Sequence, residues 1–240
     1  MKLSTLRSRL SIIGLSAMLP FAGFAATSAM HQKDLSPQQA FEKLLAGNER
    51  FTSGVTSHRD LSAEVATTSK GQYPFGVVLT CLDSRTTPEN MFDQGVGDLF
   101  VGRIAGNFAA DDMIGSFEFA HKLAGSKVLA VVGHSACGAV KGACDGAKMG
   151  NLTHTLAQLS PALEAVPNSV KPRNSKNPAF VQKVADANVR LTVERILDRS
   201  QVLSDMVKAG ELGVIGGMYD LNTGKVTFFE DTAHGLKMPH

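Results

Sequence analysis

Three short apolar runs that are rich in β-branched residues are the feature that most constrains how this 240-residue chain can fold. They are FGVVLT at 75–80, KVLAVV at 127–132 and LGVIGG at 212–217, and apolar residues at helical spacing lie between them. Runs of this length without a polar face are typical of strands that are buried on both sides of a parallel sheet. Strands that alternate with helices in this way predict parallel βαβ units.

The remaining segments extend this alternation along the chain. A further strand is predicted over 98–106, and the run at 212–217 is the first of two closing strands around a turn at 222–224. Helices are predicted from the N-cap Ser36 with Pro37 in the first turn, over 111–125 with Gly125 at the end, from Ser135 after a turn at Gly133, and in two pieces between 179 and 210. The segment 54–74 is polar and irregular, and 150–178 is predicted to form a helix followed by a loop. We therefore expect a single α/β domain with a mainly parallel central sheet, flanking helices and an antiparallel C-terminal strand.

The N-terminal residues are typical of an export signal. Lys2, Arg7 and Arg9 form a basic start, which an apolar stretch and then a cluster of small residues follow. A short membrane anchor is the alternative, but the apolar stretch is short for a membrane span and contains a proline. We predict that residues 1 to about 29 are a cleaved signal and that 30–240 form the domain. The protein would then be periplasmic rather than secreted into the medium, without a stable membrane anchor after cleavage.

The charge of the chain does not predict an anionic partner. The chain has 24 basic and 22 acidic residues. Three of the basic residues lie in the predicted signal, so the charges of the rest of the chain nearly balance. No block of like charge is present, so we expect no nucleic-acid partner.

The cysteines favour a metal site. Three of them, Cys81, Cys137 and Cys144, cannot form a complete set of disulfides, and a domain of this size does not need such bonds. Metal ligation is the obvious use for two of these thiols. A disulfide between Cys81 and Cys137 stays open as an alternative, and Cys144 is predicted to serve packing.

Two of the cysteines and one histidine follow predicted strands. Cys81 ends the first strand, and His134 and Cys137 follow the strand at 127–132. Because functional groups gather beyond the carboxyl ends of parallel strands, these three side chains are expected to converge. Two thiolates and one imidazole are a natural zinc site that leaves a fourth position for water, and the helix start favours the thiolate of Cys137. Buried cysteines that only fill the core are the plain alternative.

An acidic and a basic residue lie two and four positions after Cys81. A carboxylate of Asp83 held by the guanidinium of Arg85 would stay ionised and able only to accept hydrogen bonds. Such a group can orient the hydrogen of a zinc-bound hydroxide so that a lone pair faces a substrate. An ordinary surface ion pair, which contributes little, is the alternative interpretation.

Five stretches together resemble one enzyme family. They are AFEKLLAGNERF, CLDSRTTPE, DQGVGDLFVGRIAGN, GHSACGAVKGA and YDLNTGKV, and they resemble the β-class carbonic anhydrases in order and separation over about 36–230. The resemblance implies one zinc ion per chain on Cys81, His134 and Cys137, with Asp83 and Arg85 as a catalytic dyad. It also implies reversible hydration of carbon dioxide to bicarbonate and a proton.

The resemblance implies further roles. In some members the aspartate binds the zinc, so Asp83 is a candidate fourth ligand in a closed state. Gln72 matches a glutamine that hydrogen-bonds substrate, and Phe100, Ala105 and Gly106 match an apolar carbon dioxide pocket. The family assembles as homodimers or larger oligomers such as homotetramers, in which the first helix packs across a partner. Three residues of the predicted first helix would supply that contact, or would instead face the core of their own chain: Leu44, Leu45 and Phe51.

Two departures from the family pattern are visible. Phe119 stands where the family usually has a tyrosine. Some bacterial members bind inhibitory bicarbonate through a tryptophan, an arginine and a tyrosine. Arg103 and Tyr219 match the last two, but Val78 replaces the tryptophan, which argues against this regulation here.

Three other functions remain compatible with the same residues. One is a hydrolase of carbonyl sulfide or carbon disulfide on the same scaffold. The second is a non-catalytic zinc-binding protein, which would not need Asp83 and Arg85. The third is a thiol redox protein, in which Cys81 and Cys137 would form a reversible disulfide.

Overall fold

A five-stranded sheet forms the centre of the computed structural model, which describes residues 28–239. The strands are β1 (Gly76–Thr80), β2 (Leu99–Arg103), β3 (Val128–His134), β4 (Gly213–Tyr219) and β5 (Val226–His234). Their spatial order is β2-β1-β3-β4-β5; the first four are parallel, and β5 is antiparallel to β4. The predicted α/β fold with a mainly parallel sheet and an antiparallel C-terminal strand is confirmed. The predicted export signal lies outside the described residues except for its last two positions.

Helices cover both faces of this sheet. They are α1 (Ala29–Asp34), α2 (Pro37–Ser53), α3 (Leu61–Thr68), α4 (Pro88–Met91), α5 (Asp111–Glu118), α6 (Gly138–Cys144), α7 (Leu152–Ala157), α8 (Ser160–Ala165), α9 (Pro178–Arg199) and α10 (Gln201–Lys208), and a π-helical turn (Phe119–Leu123) continues α5. Among these described helices, none combines the length and the apolar character needed to cross a membrane.

The side chains of β3 alternate between two apolar cores. Leu129 and Val131 pack in the core that includes residues of α5 and α9. Val128 and Ala130 pack in the core that includes residues of α2 and α4. The strand is therefore apolar on both sides because helices cover both of its faces, as the sequence pattern predicts.

Helix α2 begins where the sequence predicts. The Ser36 side chain accepts a hydrogen bond from the Gln39 backbone N–H, and the Gln39 side chain accepts one from the Ser36 backbone N–H. This capping box fixes the helix start, with Pro37 in the first turn. Of its apolar residues, Leu44 is fully buried in the chain's own core, whereas Leu45 and Phe51 are half-buried.

The segment 54–74 is not wholly irregular, because it contains α3. Asp60 caps this helix by accepting a hydrogen bond from the Ala63 backbone N–H. Its buried residue is Glu64, which accepts a hydrogen bond from the Val96 backbone N–H, whereas Leu61 and Val65 are exposed. An apolar periodicity therefore cannot reveal this helix, since its buried face is polar.

The predicted turn at Gly133 is wrong, because β3 continues through Gly133 to His134. Gly133 is required by close packing: a Cβ atom there would lie 2.7 Å from a methyl carbon of Val189 on α9. The following helix, α6, begins at Gly138 rather than at Ser135. His134 thus belongs to a central strand, whereas Cys137 occupies the N-cap of α6.

The helix predicted over 111–125 is α-helical only up to Glu118. The π-helical turn follows it, and Gly125, with a φ of 82°, ends the segment. This turn contains His121, which is buried and whose Nδ1 lies 2.9 Å from the Ser126 carbonyl oxygen. Since a carbonyl only accepts, Nδ1 carries the hydrogen.

Burial of His121 predicts a dependence of stability on pH. Burial lowers the pKa of His121 to about 4, so the folded chain binds this proton less readily than the unfolded chain does. The contribution of the neutral His121 imidazole to folding stability is therefore complete above pH ~6.5 and is lost as the pH falls toward 4. We expect His121→Asn, which cannot titrate, to reduce the loss of unfolding free energy between pH 7.5 and pH 5 by about 2 kcal/mol. Urea unfolding of both proteins at the two pH values measures this difference, and equal losses would contradict it.

Candidate metal centre and active site

Three predicted side chains meet at the carboxyl end of the central strands. Cys81 directly follows β1, His134 ends β3, and Cys137 precedes α6. All three are buried, and one ligand atom from each lies within 4.8 Å of the other two. In the described part of the chain, this is the one group of three or more such residues close enough to share a metal ion. The convergence expected from the sheet topology is therefore present.

The imidazole of His134 is arranged as a ligand. Its Nδ1 lies 2.9 Å from the Ser135 carbonyl oxygen, to which it therefore donates a hydrogen bond. This places the lone pair on Nε2, which is buried and has no hydrogen-bond partner among the described residues. A buried polar atom without a partner is costly, and metal-bound histidines commonly donate their other nitrogen to a carbonyl in this way.

The two sulfur atoms also fit a shared metal ion. The Sγ atoms of Cys81 and Cys137 lie 3.8 Å apart, and all three cysteines of the chain are free. A disulfide bond needs about 2.05 Å, whereas two sulfurs on a tetrahedral zinc ion with ~2.3 Å bonds lie about 3.8 Å apart. The spacing of the sulfurs is thus that of a metal site.

The two thiols differ in their affinity for a proton when no metal is bound. The hydrogen bond from Cys137 is the main cause that lowers the pKa of Cys81 to about 4, against the opposing effect of burial, and the Gly106 N–H adds a further donor. The same contact with Cys81, together with burial, raises the pKa of Cys137. The N–H groups at the start of α6 act in the opposite direction on Cys137, with a smaller effect than the neighbouring sulfur. A bound metal cation would displace the remaining proton.

Asp83 and Arg85 form a bidentate pair beside this cluster. The Arg85 Nε and Nη2 atoms donate to the two carboxylate oxygens at 2.9 and 2.7 Å, and the Arg85 backbone N–H donates at 3.0 Å. These bonds hold the pKa of Asp83 well below its usual value. Its Oδ2 atom lies 3.9 Å from Nε2 of His134. The pair therefore borders the cluster, and Asp83 faces Arg85 here, while its predicted closed state stays a prediction.

Two further residues fix the loop that carries Cys81 and Asp83. Arg103, at the end of β2, donates to the Cys81 carbonyl at 3.1 Å and to the Asp83 carbonyl at 2.5 Å. The buried hydroxyl of Thr86 donates to the same two carbonyls at 3.1 and 2.9 Å. Sequence analysis did not identify this clamp. A basic residue at the carboxyl end of the neighbouring strand was the available signal.

We expect Arg103→Met to lower kcat for the hydration of carbon dioxide that the resemblance implies by about 10- to 100-fold, since small misplacements of reacting groups have effects of this size. The bound metal should remain, because Arg103 contacts carbonyls and not the three ligand atoms. Stopped-flow kinetics and metal content measured on the same preparation test this, with Arg190→Met, which removes the partner of Asp231, as the control. An unchanged kcat with unchanged metal content would contradict a positioning role.

The residues predicted to line the substrate pocket lie on β2 and on the segment that follows it. Gly106 is buried, and its N–H donates to the Cys81 sulfur at 3.4 Å, while its carbonyl accepts from the Asn188 side chain at 2.7 Å. Phe100 lies on β2 and contacts Phe119 edge-on, with ring centroids 6.4 Å apart. Ala105 precedes Gly106 in the chain and is half-buried. Their contact with substrate stays a prediction.

Gln72 lies apart from the other predicted site residues within one chain. Its side chain is exposed, and it precedes the amino end of β1, whereas Cys81 follows the carboxyl end of that strand. No hydrogen bond joins it to the cluster among the described residues. Its predicted contact with substrate stays a prediction.

Comparison with known proteins identifies the family. A family model described as "Carbonic anhydrase" matches residues 76–226. "Carbonic anhydrase 2" of Mycobacterium tuberculosis is 33% identical over 191 residues, which span 79% of this chain and 91% of the relative. "Carbonic anhydrase" of Mycolicibacterium smegmatis is 31% identical over 80% of this chain and 92% of its own length.

Solved structures share the fold. A Coccomyxa β-carbonic anhydrase in complex with acetazolamide has a TM-score of 0.61 at 21% identity, covering 79% of this chain and 81% of its own. One of two tetrameric β-carbonic anhydrases from Sordaria macrospora also has a TM-score of 0.61, at 23% identity, covering 80% and 98%. The resemblance carried by the five stretches is thus confirmed over most of the described residues. The chain belongs to the carbonic anhydrase family, the enzymes that interconvert carbon dioxide and bicarbonate, and its fold is that of the β class.

Proposed function

We propose that this chain hydrates carbon dioxide reversibly to bicarbonate and a proton at one zinc ion held by Cys81, His134 and Cys137. The observation that carries the choice of site is the ring of His134: its buried Nε2 has no hydrogen-bond partner among the described residues, and the ring offers a ligand atom within 4.8 Å of two free sulfurs. Two thiolates and an imidazole favour zinc over the oxygen-preferring cations. Zinc, when bound by three protein ligands, supplies a hydroxide nucleophile near neutral pH.

The dyad would control the orientation of that nucleophile. Asp83 is ionised because Arg85 donates to both of its oxygens, so near the cluster it can only accept a hydrogen bond. Arg103 and Thr86 hold the backbone of the same loop, so the carboxylate is presented in one arrangement. The residues proposed for the apolar substrate pocket would receive a nonpolar gas more readily than a charged product: Phe100, Ala105 and Gly106.

We further propose that the enzyme works as a homodimer or homotetramer. One structural relative is tetrameric, and β2 is an edge strand of the sheet. Phe119 is an exposed apolar residue that contacts Phe100 of this edge strand. Exposed apolar residues beside an open strand edge favour association with another chain. Gln72 would then contact substrate only from a second copy, because within one chain it lies at the far end of β1. Light scattering of the purified protein tests the oligomeric state.

We also propose that residues 1–29 direct export to the periplasm and are then removed, without a stable membrane anchor afterwards. The basic start, the apolar stretch and the small residues that follow support this. The mass of the protein recovered from the periplasmic fraction tests both the location and the cleavage site.

One experiment separates the proposed reaction from its alternatives. Protein purified without added zinc is analysed for metal and for free thiols, and then for hydration of carbon dioxide by stopped flow. About one zinc per chain with rapid hydration supports the proposal. Turnover of carbonyl sulfide or carbon disulfide without hydration would favour the hydrolase, and zinc without either activity would favour a binding protein. Little zinc together with a lost pair of thiols would favour a redox protein.

A further inference from the structure

A second cavity lies beside the segment that links β2 to α5. It has a volume of about 390 Å³ and is bordered by this segment and by residues of α7 and α9. Ile104, Phe108 and Ala109 provide an apolar wall, whereas His154, Arg195 and Arg199 bring cationic or titratable groups. A volume of this size suits a small organic molecule. None of the residues assigned above to the metal centre, the dyad or the substrate pocket lines it.

The two arginines of this cavity differ in their partners. Arg199 forms a bidentate pair with Asp111, which also lines the cavity, so these two charges compensate each other. Arg195 is half-buried and has no carboxylate partner within ion-pair distance among the described residues. Within residues 28–239, the one hydrogen bond of its side chain is to the Gln158 side chain, at 3.5 Å. The cavity therefore contains one cation that is not neutralised, next to an apolar wall.

We propose that this cavity binds a small organic carboxylate, whose acidic group pairs with Arg195 and whose apolar body lies against Ile104, Phe108 and Ala109. A guanidinium offers two parallel N–H donors that match a carboxylate, and a half-buried guanidinium gains more from such a partner than an exposed one does. An inorganic oxyanion would use the cation but not the apolar wall. A neutral ligand of the same shape would use the wall but not the cation.

The cavity is connected to the metal centre through the segment that contains Gly106. The segment that forms the apolar wall also contains Gly106, whose N–H donates to the Cys81 sulfur. Helix α9, which carries Arg195, also contains Asn188, whose side chain donates a hydrogen bond to the Gly106 carbonyl. A ligand wedged between α9 and this segment therefore contacts both sides of the structure that supports Gly106.

Methyl NMR spectra of the zinc-loaded protein, labelled at isoleucine and alanine, test the binding with benzoate and with its neutral analogue benzamide. We expect benzoate to shift the Ile104 and Ala109 methyl signals in a saturable way, and benzamide to bind at least about tenfold more weakly. Arg195→Gln should weaken benzoate binding by about tenfold or more and leave benzamide unaffected. Because the readout is binding, the result does not depend on the proposed hydration activity.

Arg190→Gln is the matched control. Arg190 lies on the same helix and pairs with Asp231 on the surface, outside this cavity, so its replacement should leave benzoate binding unchanged. Equal affinities for benzoate and benzamide would overturn the proposal, as would benzoate binding that is unaffected by Arg195→Gln. Shifts that are confined to residues around Cys81 and His134, without any at Ile104 and Ala109, would assign the ligand to the metal centre and overturn it as well.

Discussion

Replacing Asp83 by asparagine is expected to lower kcat/KM for carbon dioxide hydration by about 100-fold or more while the zinc content stays near one per chain. In the structure both carboxylate oxygens accept hydrogen bonds from Arg85, and Oδ2 lies 3.9 Å from Nε2 of His134. An amide has only one acceptor oxygen. If its NH₂ group faces the metal centre, no oxygen is left there to accept a hydrogen bond; if it faces Arg85, it meets N–H donors and the bidentate pair is broken. Neither orientation keeps the arrangement of the carboxylate. Losses of 10²–10⁴-fold are typical when such a proton-handling group is removed.

Zinc should be retained in Asp83→Asn because the three ligand atoms belong to other residues. The matched control is Asp231→Asn, which breaks a similar bidentate pair with Arg190 on the surface. This variant should keep full activity. Full activity of Asp83→Asn across the pH range would show that the dyad does not have the proposed role.

Replacing Cys81 by serine is expected to abolish both zinc binding and measurable hydration. The substitution removes one of only three ligand atoms and replaces a readily ionised thiol by a hydroxyl. Binding of a metal that the unfolded chain does not hold contributes directly to folding stability. The variant should therefore also unfold at a lower temperature, and a chelator should no longer affect its unfolding.

Metal analysis after dialysis, together with thermal unfolding with and without chelator, measures these effects. Cys144→Ser is the control: Cys144 ends α6 and is half-buried outside the cluster, so zinc content and activity should remain. One zinc per chain in Cys81→Ser would mean that the ion is held elsewhere.

The parts of the fold that sequence analysis predicted are those whose burial is apolar. The runs at 75–80, 127–132 and 212–217 became central strands because helices cover both faces of the sheet. Helix α3 was missed because its buried residue is Glu64, which an apolar pattern does not reveal. The end of β3 was misplaced because Gly133 has two uses in principle, a turn or a close contact, and only the position of Val189 decides between them.

The site was also predictable only in part. Strand order brings Cys81, His134 and Cys137 together, so their convergence was predictable from topology alone. The hydrogen-bonding pattern of His134 and the clamp by Arg103 depend on side chain-to-backbone contacts, which no spacing in the sequence encodes. The position of Gln72 at the amino end of β1 was predictable, because Gln72 precedes the predicted strand at 75–80 whereas Cys81 follows it. Only the match to the family, and not the predicted strand, assigned Gln72 to the substrate.

Helix α9 contributes no ligand, yet it braces two sides of the metal centre at once. Val189 packs against Gly133, the residue before His134, and the neighbouring Asn188 holds the loop that reaches Cys81 through Gly106. A rotation of this helix by a fraction of a turn would therefore disturb the positions of the His134 imidazole and the Cys81 sulfur together. Substitutions on its buried face should therefore accelerate zinc loss well before they unfold the domain, so that metal retention becomes a property of the scaffold as much as of the ligands.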